Sequence, residues 1–323
     1  MTATVAIGVD LGGTNLKAAV VDQEARILAK GTMPTAPERG PDAVIADIVE
    51  LTDDLIADRH LARARVAGVG VGTPGPLSYR QGRIIKAANL PGWHDVDLRD
   101  RLAERLHLPV VVDNDANAAA FGEHWAGAGR DGADLVLLTL GTGVGSGVVT
   151  EGRVLRGHFE NAGELGHMIV AVDGLPCPCG QRGCLEQYAS AGAVARRVAA
   201  AVAGGETSSA AEAVEEGNPL DARLVAAHAR QGDILCNRIW DEACLYLAVA
   251  CINIQHAFNP ARVVLGGGMS EAGAFLSDRV NDHLRRQRWS LHDDVPAVVL
   301  SRLGPEAGVI GAAALVLIDA PPG

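Results

Sequence analysis

Two stretches of this 323-residue chain share one layout. In the first, the apolar strand Val5 to Asp10 enters Leu11-Gly12-Gly13-Thr14-Asn15 and leaves along Leu16 to Val21. In the second, Leu135 to Leu140 enters Gly141-Thr142-Gly143-Val144-Gly145-Ser146-Gly147 and leaves along Val148-Val149. Either one alone is a weak signal, because a hairpin needs glycine for conformational reasons. As a pair, about one domain apart, they predict a duplicated α/β unit with phosphates held between two turns of uncovered backbone amides. Neither is a P-loop. Each turn leads into a strand rather than a helix, and no G-x-x-x-x-G-K-[ST] occurs in the chain.

The intervening sequence alternates in the same sense. Pro41 to Asp58 has Val44, Ile48, Leu51 and Leu55 on one helical face. Arg65 to Gly72 reads as a buried strand, Leu98 to Leu106 as a helix, and Pro109 to Val112 as a strand. Later come a long apolar helix, Ile234 to Phe258, the strands Arg262–Leu265 and Ala297–Leu300, and a last helix, Pro305–Ile318. Strands alternating with helices predict an α/β fold, and the length suits two domains. Gly70-Val71-Gly72-Thr73-Pro74-Gly75 matches the dinucleotide fingerprint literally. Pro74 and Pro76 oppose the helix that such a fingerprint must open, which argues against a nicotinamide site.

Two further strand ends are suited to meet a ligand. Asp113-Asn114-Asp115-Ala116-Asn117 lies where a strand hands over to the helix Ala118–Trp125, the ligand edge of an open α/β sheet. A helix cap needs one Asp or Asn, such as Asp115; four polar side chains in five positions exceed that. Gly266-Gly267-Gly268 after Leu265 leaves bare backbone on which a flat ring such as adenine could lie.

Gly163-Glu164-Leu165-Gly166-His167 and Cys177-Pro178-Cys179-Gly180-Gln181-Arg182-Gly183-Cys184-Leu185-Glu186 supply one imidazole and three thiols within eighteen residues. His167, Cys177, Cys179 and Cys184 are the donor set of a closed, structural tetrahedral zinc site. A disulfide or buried free thiols are the other readings, and a reducing compartment disfavours the disulfide. Glu164 and Glu186 flank the ligands and are not needed by a metal. They are suited to accept hydrogen bonds from the hydroxyls of a polyol. Cys236, Cys244 and Cys251 fall on the long apolar helix and read as buried thiols.

The formal charge of -11 argues against a nucleic acid or an anionic membrane as partner. No apolar run reaches the length of a membrane span. Met1 to Val5 has no basic region of an export signal, so the expected compartment is the cytoplasm.

Taken together, Asp10-Leu-Gly-Gly-Thr14, Asn114-Asp115-Ala-Asn117, Leu140-Gly-Thr-Gly143, Glu164-Leu-Gly-His167 and Cys177-x-Cys179-x4-Cys184-Leu-Glu186 resemble the ROK family. These are bacterial repressors and sugar kinases of the actin/hexokinase-like superfamily, and the likeness is nearest to the glucokinases. The resemblance implies two ribonuclease H-like α/β domains and ATP-dependent phosphorylation of a hexose 6-hydroxyl, with glucose as the leading substrate. It implies a small domain over residues 1–118 and a large one over 119–304 carrying the cysteine loop, with the helix at about 305–323 packing back on the first. By the same likeness Asp115 is the general base, and Asn89, Asn114, Glu164, His167 and Glu186 bind sugar, with the Gly75 backbone a further contact. Gly12, Gly13, Thr14, Thr142 and Gly143 line the ATP phosphates, Gly267 and Gly268 face the adenosine, and Asp10 orients magnesium. Zinc is structural, and a homodimer is implied. The chain departs from the family glucokinases at His158-Phe159-Glu160-Asn161, where they carry a glycine. That keeps N-acetylhexosamine kinases open as an alternative. A sugar-sensing repressor is the other; it needs a DNA-binding segment before the first glycine turn, and only nine residues precede Asp10.

Overall fold

The computed structural model describes residues 4–87, 90–287 and 295–318. In chain order the strands and helices begin with β1 (Val5–Leu11), β2 (Asn15–Asp22), β3 (Ile27–Pro34), α1 (Pro41–Asp58) and β4 (Val66–Thr73). Next are β5 (Leu77–Ser78), β6 (Arg83–Lys86), β7 (His94–Val96), α2 (Leu98–Leu106), β8 (Val110–Asn114) and α3 (Asp115–Ala126). Then follow β9 (Leu135–Leu140), β10 (Val144–Thr150), β11 (Arg153–Val154), α4 (Glu186–Ala189), α5 (Ala191–Ala203), α6 (Ser209–Glu215) and α7 (Ala222–Arg230). The chain continues through α8 (Ile234–Phe258), β12 (Arg262–Gly266), α9 (Ala274–Gln287), β13 (Ala297–Leu300) and α10 (Ala307–Leu317).

Two five-stranded sheets have one plan. Their orders are β3-β2-β1-β4-β8 and β11-β10-β9-β12-β13. In the first, β1, β2 and β3 form an antiparallel meander, and β4 and β8 add in parallel. In the second, β10 and β11 are antiparallel, and β9, β12 and β13 are parallel. The duplication read from the paired glycine turns is thus present in the topology. A three-stranded sheet, β5-β6-β7, was not legible: strands of two to four residues are too short to show a period.

Among the described residues two compact units separate. One holds the chain up to Asp134, then Gly147–Gly163, then the chain from Arg302; the other holds Leu135–Ser146 and Glu164–Ser301. The sequence division at 118/119 differs from this partition, in which α3 lies wholly within the first unit.

In the first unit, residue size alternates along the strands, and this decides which helix each face accepts. Val5, Ile7, Val9 and Leu11 of β1 join Ile45 and Ile48 of α1 and Leu102 of α2 in the main core. On the other face, Ala6 packs with Val309 and Ala313 of α10. The glycines there exist for close approach. A Cβ on Gly8 would stand 1.8 Å from the Val309 carbonyl oxygen, and one on Gly70 the same distance from that of Ala312. Within the helix pair, a Cβ on Gly311 would lie 1.6 Å from the Ala118 carbonyl oxygen of α3. The literal G-x-G-x-x-G of β4 is therefore a packing pattern. Gly70 admits α10, Gly72 admits α3, and Gly75 (φ +88°) turns against Lys86.

In the second unit α8 is the spine, buried along Leu235, Ile239, Leu247 and Ile254. Its thiols Cys236, Cys244 and Cys251 pack as core groups, pushed up by burial to about 11, 12 and 12 respectively. Asp233 caps this helix, accepting the Cys236 N–H at 2.8 Å. It also accepts the hydroxyls of Ser208 and Ser209 at 2.9 Å each and the Ser209 N–H at 2.6 Å.

Gly311→Val should cost about 2–3 kcal/mol through overpacking, lowering the thermal midpoint by roughly 5 °C or more; a calorimetric scan reads this directly. The Asp233 cap predicts acid sensitivity. Burial pushes this carboxyl up, but its four donors outweigh burial and hold it at about 2, against an ordinary 3.8. The cap thus contributes fully above the ordinary value, and its contribution fades as pH falls from there towards 2. Asp233→Asn, an equally good cap, should flatten the loss of stability in that window when urea unfolding is followed against pH.

Candidate functional site

The first unit gathers its predicted residues at the C-terminal edge of its parallel strands. Asp10 of β1 is in register with Gly72 of β4, Gly72 with Asp113 of β8, and Thr73 with Asn114. Asp10 falls on the α10 face by the same alternation as Ala6 and Gly8, and a Cβ on Gly308 would meet its carboxylate at 3.1 Å. Burial pushes this carboxyl above the ordinary range, and Lys17, its cross-strand neighbour, pulls it back. A half-buried carboxylate with so little to offset its desolvation is suited to a cation. The turn beside it is held by Gly12, whose N–H donates to Asn15 O (3.1 Å) and whose carbonyl accepts the Thr35 hydroxyl (2.7 Å). Gly13 is half-buried and Thr14 exposed, so the turn presents its outer side to solvent.

At the β8–α3 junction the cap falls to Asn114 rather than Asp115. Asn114 Oδ1 accepts the N–H groups of Ala116 (2.9 Å) and Asn117 (3.3 Å). With its oxygen committed, the Asn114 amide offers only its NH₂ to a ligand. Asp115 becomes the first helical residue, half-buried, with its Oδ1 accepting the Ala116 N–H at 2.8 Å. Ahead of both, Asp113 is buried and ion-paired with Arg156 at 2.8 Å. Spacing could not reveal that partner, because Arg156 lies 43 residues further on. Asn89, the other predicted sugar contact of this part of the chain, lies outside the described residues.

The second unit gathers the remaining predicted residues within itself. β9 ends at Gly141-Thr142-Gly143, where the Gly141 N–H donates to the Gly143 carbonyl at 3.0 Å. β12 ends beside it: Gly266 is in register with Thr139, and Gly267 (φ +79°) has its Cα against Leu140. Gly268 has open space where a side chain would point. Two glycine turns more than a hundred residues apart in sequence are therefore neighbours. Glu186 opens α4, and its Oε2 accepts the Val144 N–H at 3.1 Å. A Cβ on Gly143 would stand 2.3 Å from that oxygen, so a larger residue there would push the Glu186 carboxylate aside. The turn carrying Glu164 and His167 packs on the same strand. Leu165 N–H donates to Ser146 Oγ at 2.9 Å, and Gly166 lies against the Val144 carbonyl. Glu164 and Glu186 are thus both mounted on the start of β10.

His167, Cys177, Cys179 and Cys184 converge, with their ligand atoms all within 4.8 Å of one another. Cys177 Sγ to His167 Nδ1 and Cys179 Sγ to Cys184 Sγ are each 3.7 Å. A tetrahedral site with metal–sulfur bonds of about 2.3 Å has edges of about 3.8 Å, so the spacing fits a coordinated ion. It excludes a disulfide. A tight turn, Gly180 N–H to Cys177 O at 3.0 Å, folds the loop around this point. Burial and the adjacent thiols push Cys184 up to about 12, as expected of crowded sulfurs that a dication would neutralise. Gln187 Nε2, not anticipated from the sequence, donates to Cys177 Sγ at 3.5 Å.

Comparison with known proteins supplies the context for this geometry. Residues 6–318 match the model of the ROK family. The chain is 38% identical to a glucokinase of Halalkalibacterium halodurans over 96% of its own length and 94% of that protein's. The structure of a ROK hexokinase from Thermus thermophilus superposes with a TM-score of 0.84 at 35% identity, covering 98% of this chain and 99% of that one. A ROK family glucokinase from Streptomyces griseus, solved with glucose and AMPPNP, superposes with a TM-score of 0.81 at 34% identity, covering 96% and 98%. The fold is accordingly the pair of actin/hexokinase-like α/β domains expected from the motifs.

If the four donors bind a metal, Cys184→Ser should lower metal content from one ion per chain to well under half, read by mass spectrometry of the native protein. Retention of a full equivalent would separate the cysteine loop from metal binding.

Proposed function

The chain belongs to the ROK family, and from that premise we propose that it transfers the terminal phosphoryl group of ATP to the 6-hydroxyl of glucose. The observation that carries this reading is the near full-length similarity to a glucokinase solved with both glucose and an ATP analogue. Phosphoryl transfer has a loose transition state, so the protein's work is to align groups and stabilise charge. Asp115 accepts the proton of the attacking hydroxyl late in the step, for which an ordinary carboxylate suffices. The Asn114 NH₂ and Asn89 donate to neighbouring hydroxyls. Glu164, Glu186 and His167 hold the hydroxyls at the anomeric end.

The Gly12-Gly13-Thr14 turn, through the amides of Gly13 and Thr14 because that of Gly12 is used within the turn, takes the phosphates together with Thr142 and Gly143; Gly267 and Gly268 take the adenosine. Asp10 would hold magnesium, which supplies charge neutralisation on the phosphate oxygens when bound. Zinc is the metal we assign to His167, Cys177, Cys179 and Cys184. Its role is structural, because four protein ligands leave no open position. Supporting that assignment is the 3.7 Å spacing of the donors. No described helix is long and apolar enough to cross a membrane. We place the enzyme in the cytoplasm, as a homodimer without a nucleic-acid partner.

The loop at His158 to Asn161 keeps an N-acetylhexosamine as the second substrate to be tried. Coupled assays with ATP across glucose, mannose, fructose, N-acetylglucosamine and N-acetylmannosamine should give the highest kcat/KM on glucose. Asp115→Ala should lower kcat by about a thousandfold or more, with glucose affinity by calorimetry within about threefold of the parent, because the lost group acts on the transition state. Turnover within tenfold of the parent would remove Asp115 from the role of base.

A further inference from the structure

Asp113 is 1% exposed, yet every face of its carboxylate is engaged. Oδ1 accepts the Asn114 N–H at 2.7 Å and the Asn117 side-chain amide at 3.0 Å. Oδ2 accepts Arg156 Nε at 2.9 Å and its terminal nitrogen at 2.8 Å. The carboxylate thus ties together the end of β8, the first turn of α3 and the loop after β11. Burial pushes this carboxyl up, and Arg156, Asn117 and the Asn114 N–H each pull it back.

Arg156 is itself held. Its guanidinium lies over the Tyr79 ring, 3.7 Å from the centroid. Its loop is pinned to the β5 turn, where Glu160 accepts the Ser78 hydroxyl at 2.9 Å and pairs with Arg80 at 2.8 Å. Asn161 Oδ1 accepts the Leu77 N–H at 3.1 Å. Glu160 adopts φ +63°, a conformation that disfavours any side chain. The chain accepts that strain where the Glu160 carboxylate closes the latch.

A buried Arg–carboxylate pair is a poor source of net stability, because desolvation offsets its attraction. What it supplies is geometry: two nitrogens of a planar guanidinium converge on Oδ2 and fix its place. With Oδ1 held by the Asn114 N–H and the Asn117 amide, this sets the Asp113 carboxylate, and through it the backbone from which Asn114 and Asp115 project. We propose that Arg156 is a positioning residue for phosphoryl transfer, aligning the Asp115 carboxylate through Asp113. This rests on the kinase reading given above. Arg156 acts through Asp113 and not on the substrate. Without the guanidinium, Asp113 loses the partner that orients it, and the strand-to-helix junction is free to shift by a fraction of an ångström. Displacements on the order of 1 Å cost about a hundredfold in rate.

The test compares the full-length parent enzyme with Arg156→Ala and Arg156→Lys, using ATP and whichever sugar of the panel the parent turns over. Absence of turnover by the parent on every sugar would count against the kinase reading alone. Arg156→Ala should lose about a hundredfold in kcat, with KM for sugar and ATP within about threefold, since the contacts to both ligands remain. Millimolar guanidinium or methylguanidinium should restore part of that kcat. Arg156→Lys, which keeps the charge and loses the planar guanidinium, should fall about tenfold, again in kcat. Hydrogen exchange in the peptide spanning residues 110–118 should quicken in both variants, a readout independent of activity. If Arg156→Ala does not fold, the Lys variant and its exchange rate decide. The proposal is overturned if kcat stays within threefold of the parent in a folded variant, if the loss falls on KM alone, or if exchange over 110–118 is unchanged.

Discussion

The first unit rests on backbone packed directly against backbone. α10 lies on β1 and β4 without intervening side chains at Gly8 and Gly70, and α3 meets α10 at Gly311 in the same way. Contact this close leaves no room for adjustment, because interiors are already packed to crystal density. It therefore sets the height of the strands beneath the helices, and with it the position of every residue at the strand ends. Asp10, Asn114 and Asp115 inherit their placement from glycines that carry no chemistry themselves.

The cysteine loop of the second unit is held by another route. This polar loop has few apolar side chains to bury, and the Ile169 and Val172 it does carry are largely exposed. Four convergent donors replace a core there, and hydrogen bonds to Val144 and Ser146 tie the loop to β10. Glu186 is part of that tie, so the carboxylate proposed to bind sugar also braces the scaffold. Gln187 extends the arrangement by reaching both Cys177 and Glu186, at 3.5 and 3.4 Å.

What the sequence disclosed follows from the range of each interaction. The glycine turns, the cysteine spacing and the polar run after β8 are local, and all could be read along the chain. The α/β alternation was equally plain, because buried parallel strands and long amphipathic helices have strong periods. The pairing of Asp113 with Arg156 was hidden, since a contact across 43 residues leaves no mark in either neighbourhood. Capping at Asn114 was missed for a subtler reason: Asn114 and Asp115 are both good caps, and only the backbone at the junction decides between them. The fingerprint-like glycines of β4 gave the opposite lesson. Their spacing reports the side-chain period of a strand lying under two helices, not a bound cofactor.

The position of α10 in the chain has a consequence for synthesis. The helix that seals the Ala6 and Gly8 face of β1 is translated some three hundred residues after it. Until then, one side of the first sheet has backbone grooves shaped for a helix that does not yet exist. The nascent protein must hold that surface unsatisfied while the second unit is made, so the first unit closes only after the chain of the second is complete.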